Sequence, residues 1–236
     1  MQIRYLTMQA VLVLIFAFVI ILYSGSRAYS RTSSEHYYNA AKADLLTFKT
    51  KWSKKYRSET SRTKKESLLS QVGELLSRKI SGSMLSPWYG TKWAYHGTSV
   101  TPGKGSIACG YFVTTVLRDS GVNINRVRMA QAASETMIKK VNGDKNIKRY
   151  RNKSIQHFVA QVKKWGEGLY IVGLDYHTGF ILNKRNKIYF IHSSFYAPSK
   201  VVSELALTSQ ALKESKYRVL GKLFVDDSSV RRWLLN

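Results

Sequence analysis

The spacing of apolar residues changes character along this chain, and that change limits the fold more than any other feature. Between residues 33 and 80 the apolar side chains recur at helical intervals: Leu45, Phe48, Trp52 and Tyr56, then Leu68, Val72 and Leu75, with Leu69, Leu76 and Ile80 alongside. Helical spacing returns in the segment after Cys109, where Phe112, Val113, Val116 and Leu117 share a face and Gly121 is placed as a stop. It returns again in "SIQHFVAQVKKW", which opens on a Ser cap. Beyond that point the pattern is strand-like, in "LYIVGLD", "HTGFILN", "KIYFIHSS" and "YRVLGKLFV". Helices first and hairpin-connected strands afterwards predict an α+β fold with a mainly antiparallel sheet.

Three segments follow from the same pattern. Residues 1–28 hold an unbroken apolar run from Ala10 to Tyr23 behind a single Arg4, with small residues at Ser24, Gly25, Ser26 and Ala28. That is the layout of a signal peptide, and Leu6 and Met8 lengthen it toward an uncleaved membrane anchor. Residues 29–85 form a helical region and linker: "SETSRTKKES" separates two helices, Thr63 to Glu66 fits a capping box, and "SGSMLSPWYG" at 81–90 reads as a linker. Residues 86–236 form the α+β domain. The body is therefore expected outside the cytoplasm, in the periplasm, cell envelope or medium, or anchored in the inner membrane.

The chain carries a formal net charge of +24, which calls for an anionic partner. Export argues against nucleic acid and in favour of cell-envelope polymer, with membrane association through the N-terminus. The Lys/Arg-rich stretch from Lys139 to Lys153 is expected to be an exposed loop that meets such a surface.

Cys109 is the one cysteine among 236 residues. It has no internal partner for a disulfide and no companions for a Cys-rich zinc site. It sits at the start of a helix that Ser106 is placed to cap, which makes it the helix's third residue. Backbone N–H groups and the helix dipole lower a thiol's pKa there, and a nearby imidazole lowers it further. Two histidines are candidates. His177 opens one strand and His192 lies late in the next; with a two-residue turn between Asn183 and Asn186 they fall directly opposite each other. A three-residue turn instead sends them to opposite faces unless a bulge intervenes. One would take the thiol proton and the other would fix the tautomer of the first. His36, His96 and His157 show no comparable arrangement. His177, His192 and His96 lack the spacing of a zinc motif, so neither a metal nor an organic cofactor is expected.

The stretches "GTKWAYHG", "GSIACGYFVTTVLRDSGVNINR", "YHTGFIL" and "KIYFIHSS", in that order, resemble the NlpC-like papain-fold cysteine peptidases of bacterial cell walls. The resemblance spans roughly residues 88 to 195. It implies a papain-like domain with Cys109 on a helix N-terminus packed on an antiparallel sheet. It implies Cys109 as nucleophile, His177 as general base and then acid, and His192 as the orienting residue. It also implies substrate contacts from Trp93, Tyr95 and Gly110, and peptidoglycan stem peptides as substrate. The chain departs from the family next to the nucleophile, where Ala108 stands for the usual Asp and Gly110 with Tyr111 for Ser-Gly. Trp93 and Tyr95 exchange the family's Tyr and Trp. The expectation is an exported cysteine peptidase or amidase. The alternatives are a non-catalytic basic wall- or membrane-binding module on the same fold, and an amidase or acyltransferase with another substrate.

Overall fold

The computed structural model describes residues 34–236, so the apolar run at 10–23 lies outside the described residues. Eight α-helices and one six-stranded antiparallel sheet make up these residues, the strands lying in the order β1-β6-β2-β3-β4-β5. The strands are β1 (Ile147–Arg151), β2 (Gly168–Gly173), β3 (Thr178–Lys184), β4 (Lys187–Ser193), β5 (Val201–Leu205) and β6 (Tyr217–Lys222). The fold is α+β, with helices concentrated ahead of the sheet.

Two long helices come first, α1 over 34–58 and α2 over Arg62–Lys79. The break falls as expected, but the cap is Ser61 and not Thr63. The Ser61 hydroxyl accepts the Lys64 N–H, while Glu59 Oε1 takes the N–H groups of Thr60 and Ser61 at 2.9 and 2.8 Å. Two side-chain acceptors thus satisfy backbone donors that a helix start leaves open.

The stretch expected to be a linker is built into the core. A π turn (Ile80–Met84) continues α2 and a 3-10 turn (Ser86–Trp88) follows it, with Met84, Leu85 and Trp88 fully buried. Trp88 packs edge-on against Tyr38 of α1 and against Phe112 of α3 (Cys109–Asp119), and Phe112 packs against Phe180 of β3. One continuous apolar cluster therefore runs from α1 through α3 to the sheet. The helical pair docks on the sheet domain and does not form a stalk. Its far end is held by α8 (Asp227–Leu235): Phe48 meets the Trp233 ring, and Ser53 Oγ donates to the Leu234 carbonyl at 2.6 Å.

The sheet separates two apolar layers. Leu169, Ile171, Phe180 and Ile191 face the α1–α3 side, while Tyr170, Val172, Ile181 and Phe190 face α6 (Ile155–Trp165) and α7 (Gln210–Glu214). Alternation along β2, β3 and β4 is the physical reason, since neighbouring residues point to opposite faces.

The basic stretch at 139–153 is not a loop. It contains the end of α5 (Ser134–Asn142) and all of β1, which pairs with β6 from Ile147↔Gly221 to Arg151↔Tyr217. Ile147 and Tyr150 are buried and Lys148, Arg149 and Arg151 are exposed; Arg149 meets Glu135 of α5 at 2.6 Å and Lys148 lies over the Trp165 ring.

Candidate active site

Two segments converge on Cys109. The backbone ahead of it is pinned on both sides, with the Ile107 N–H on the Lys92 carbonyl at 2.9 Å and the Ala108 N–H on the Gly97 carbonyl at 2.8 Å. Ser106 is held in a bridge with Lys92, so it cannot cap the helix as expected. Ala108 takes the cap position and Cys109 is the helix's first residue, not its third. The first helical bond runs from the Phe112 N–H to the Ala108 carbonyl. Gly110 carries no side chain where one would strike α4 (Arg126–Gln131), since a Cβ would sit 2.4 Å from the Ala130 carbonyl oxygen. Arg126, which closes the "GVNINR" stretch, braces the same region. It donates to Thr115 Oγ1 at 2.7 Å and to the carbonyls of Thr98 and Ser99, and lies over the Tyr111 ring.

The second segment is the β3–β4 hairpin. Its turn is Arg185–Asn186, both with positive φ, as a two-residue hairpin turn requires. Lys184 pairs with Lys187 and Phe180 with Ile191, which places the turn one residue later than expected. His177 and His192 are therefore not directly opposed. Extending the ladder sets Gly179 across from His192, and His177 lies two residues further along the same face. The imidazoles meet on the diagonal: His177 Nε2 and His192 Nδ1 are 2.7 Å apart. Diagonal neighbours on one sheet face are within reach of such side chains.

Both rings are buried, at 6% and 1% exposure, which decides their charge state. Burial, reinforced by His192, pushes the pKa of His177 down to about 3. Burial also lowers that of His192, against the pull of Glu204. Phe190 stacks on His192 with centroids 4.0 Å apart, and Phe195 packs edge-on against His177 at 5.3 Å. Both histidines are neutral at pH 7 in this aromatic enclosure. His177 Nδ1 is buried and has no hydrogen-bond partner.

Cys109, Gly110 and His177 line one cavity of ≈ 190 Å³, walled otherwise by Met129, Ala130, Met137, Leu174 and their neighbours. Burial raises the Cys109 thiol above its ordinary value, while the N–H groups of Thr178, Gly110 and Cys109 itself pull the other way. The expected low thiol pKa is thus corrected: desolvation outweighs the helix N-terminus. A neutral thiol beside a neutral imidazole can react when the imidazole takes the proton as the sulfur attacks.

Of the sequence-predicted residues, Cys109, His177, His192 and Gly110 come together. Trp93 and Tyr95 do not line the cavity. Trp93 packs on Phe195, one ring removed from His177, and Tyr95 is 77% exposed with its ring against His96. Sequence reasoning missed Glu204 on β5, whose Oε1 lies 3.1 Å from His192 Nε2. A larger cavity of ≈ 780 Å³ against α2 and α8 contains none of the predicted site residues. Among the described residues, no group of three or more His, Cys, Asp and Glu side chains is placed to hold a metal ion.

No protein-family profile, no curated protein and no solved structure matches this chain.

Proposed function

We propose that the protein is an exported cysteine hydrolase of papain-like, NlpC-like type that cleaves amide bonds in peptidoglycan stem peptides. One observation carries the chemistry. A buried imidazole with one nitrogen bound and the other unpartnered shares a cavity with the chain's sole thiol, and that thiol begins a helix. An orphaned buried acceptor is costly, and a site that must receive a proton there accounts for it.

In this reading His177 Nδ1 takes the Cys109 proton as Sγ adds to the scissile carbonyl carbon. The imidazolium formed is stabilised through His192 and returns its proton to the leaving amine. N–H groups at the start of α3, that of Cys109 included, turn from the sulfur to the carbonyl oxygen as it becomes an oxyanion. Water then hydrolyses the thioester, with His177 again as base. The cell-wall substrate rests on the sequence resemblance and on the net charge of +24.

A second reading, a basic envelope-binding module with an inert thiol, draws on the raised pKa of Cys109. Muropeptide analysis of sacculi treated with the protein and with Cys109→Ala separates the two. New amide-cleavage products with the first and none with the second are expected. Identical profiles would refute the hydrolase.

A further inference from the structure

Glu204 stands on β5 opposite Phe190, two residues along the ladder from Val202, which faces His192. The His177–His192 diagonal is thus repeated one strand further on, and a polar line steps across β3, β4 and β5. We propose that Glu204 is a positioning residue that sets the proton positions on both histidines and so leaves His177 Nδ1 bare toward Cys109.

Donors and acceptors along this line fix where each proton sits. Glu204 is approached by His192 Nε2 at 3.1 Å and by the hydroxyl of Ser209, which caps α7. Ser209 Oγ accepts the Leu212 N–H, so its own proton is free to point at the carboxylate. An ionised carboxylate only accepts. His192 must then carry its proton on Nε2, and a neutral imidazole protonated there has a bare Nδ1. That Nδ1 is 2.7 Å from His177 Nε2, so His177 must supply the proton of the bond. His177, neutral as well, is left with an unprotonated Nδ1, the nitrogen that has no partner, on a residue that lines the same cavity as Cys109. Without the carboxylate, His192 is free to place its proton on Nδ1. His177 Nε2 must then accept, its proton moves to Nδ1, and the base is gone. Two histidines facing each other have two self-consistent arrangements, and Glu204 selects between them.

The catalytic consequence rests on the hydrolase reading, but the tautomers do not, and nitrogen-15 NMR of the histidine rings in the full chain reads them directly. The expected pattern is Nε2 protonated and Nδ1 bare on both His177 and His192. Glu204→Ala should move a large share of both rings to the opposite tautomer. Glu204→Gln, which keeps an oxygen for His192 Nε2–H, should retain the original pattern. Amide hydrolysis should fall about 10²-fold in the Ala variant and by a smaller factor in the Gln variant, by analogy with residues that fix a base's tautomer. Unchanged ring tautomers in Glu204→Ala would overturn the proposal whatever the activity. Shifted tautomers in a protein that cleaves no amide would uphold it and count against the hydrolase instead.

Discussion

Gly179 backs directly onto His192: a Cβ at position 179 would lie 2.8 Å from His192 Cβ and 2.7 Å from the edge of the Phe190 ring. The absent side chain is what lets His192 lean along the diagonal to His177. Gly179→Ala should therefore separate the two imidazoles as well as strain the sheet. The expected result is a loss of ~1–3 kcal/mol, the usual cost of overpacking a tight core, read as a lower urea midpoint. Weakening of the His177–His192 bond should appear in the same variant as a changed pair of ring nitrogen resonances. A variant that loses stability but keeps those resonances would assign Gly179 to packing alone.

His192 carries a second test. His192→Asn keeps a side-chain oxygen for the His177 Nε2–H, whereas His192→Ala leaves that donor buried and unpaired. The Asn variant should retain part of kcat and the Ala variant should lose about 10²-fold or more. Burial of an unpaired donor should also cost the Ala variant ~1–3 kcal/mol more than the Asn variant. Equal kcat values in the two variants would remove His192 from the catalytic line.

The four interior strands show in the sequence because both of their faces are covered. Leu169 to Val172, Phe180 and Ile181, Phe190 and Ile191, and Val219 and Leu220 are all buried, and consecutive apolar residues are what a strand covered on both sides needs. The two missed strands, β1 and β5, are the edges of the sheet. Each is five residues long; β1 exposes Lys148, Arg149 and Arg151 and so reads as a basic loop, while β5 exposes Ser203 and Leu205 and shows no run of consecutive apolar residues beyond its first two. Glu204 was lost with β5, because a lone Glu on an unrecognised strand has no partner to suggest. Cys109, His177 and His192 were legible through their order along the chain, but their register was not: it depends on which two residues make the turn, and "NKRNK" offers more than one choice. Nothing in residues 81–90 distinguishes a linker from a buried turn except the apolar Met84, Leu85 and Trp88.

Thiol reactivity should follow the burial of Cys109. The alkylation rate with iodoacetamide is set by the thiolate fraction, and desolvation holds that fraction down. The rate should rise only above the free-cysteine range near ~8.5, and not in the acidic to neutral region typical of a preformed thiolate–imidazolium pair. A midpoint below pH ~7 would mean that the pair is already ionised at rest.

Docking of the helical pair depends on Trp233. Its ring meets Phe48 of α1, and its Nε1 donates to the Ser120 carbonyl at the exit of α3 at 2.7 Å. One side chain on the last helix therefore ties the first helix to the helix that bears Cys109. Trp233→Ala should cost ~3–5 kcal/mol, as large aromatic truncations in cores do. Limited proteolysis should then release the segment containing α1 and α2 from the variant but not from the parent. Resistance equal to the parent's would show that Ser53 and the Tyr38–Trp88 contact suffice.

Acid should destabilise the protein before its carboxylates titrate. The folded-state pKa of His177 is about 3 and that of His192 is also lowered, while unfolded histidine titrates near ~6.5. Below ~6.5 the unfolded chain binds protons that the folded chain refuses, so stability is complete above that pH and declines as pH falls toward ~3. Glu135, Asp175 and Glu204, whose folded pKa values are depressed, add their losses only nearer their unfolded values of 4.5, 3.8 and 4.5. Between pH ~5 and ~6.5 the slope therefore belongs mainly to buried histidine. Urea midpoints measured across that window should fall steadily in the parent. The fall should be shallower in His177→Gln, which keeps a donor for His192 Nδ1 but does not titrate. A parent curve that stays flat down to pH ~5 would mean that the two imidazoles accept protons in the folded state, and would remove the neutral base from the mechanism.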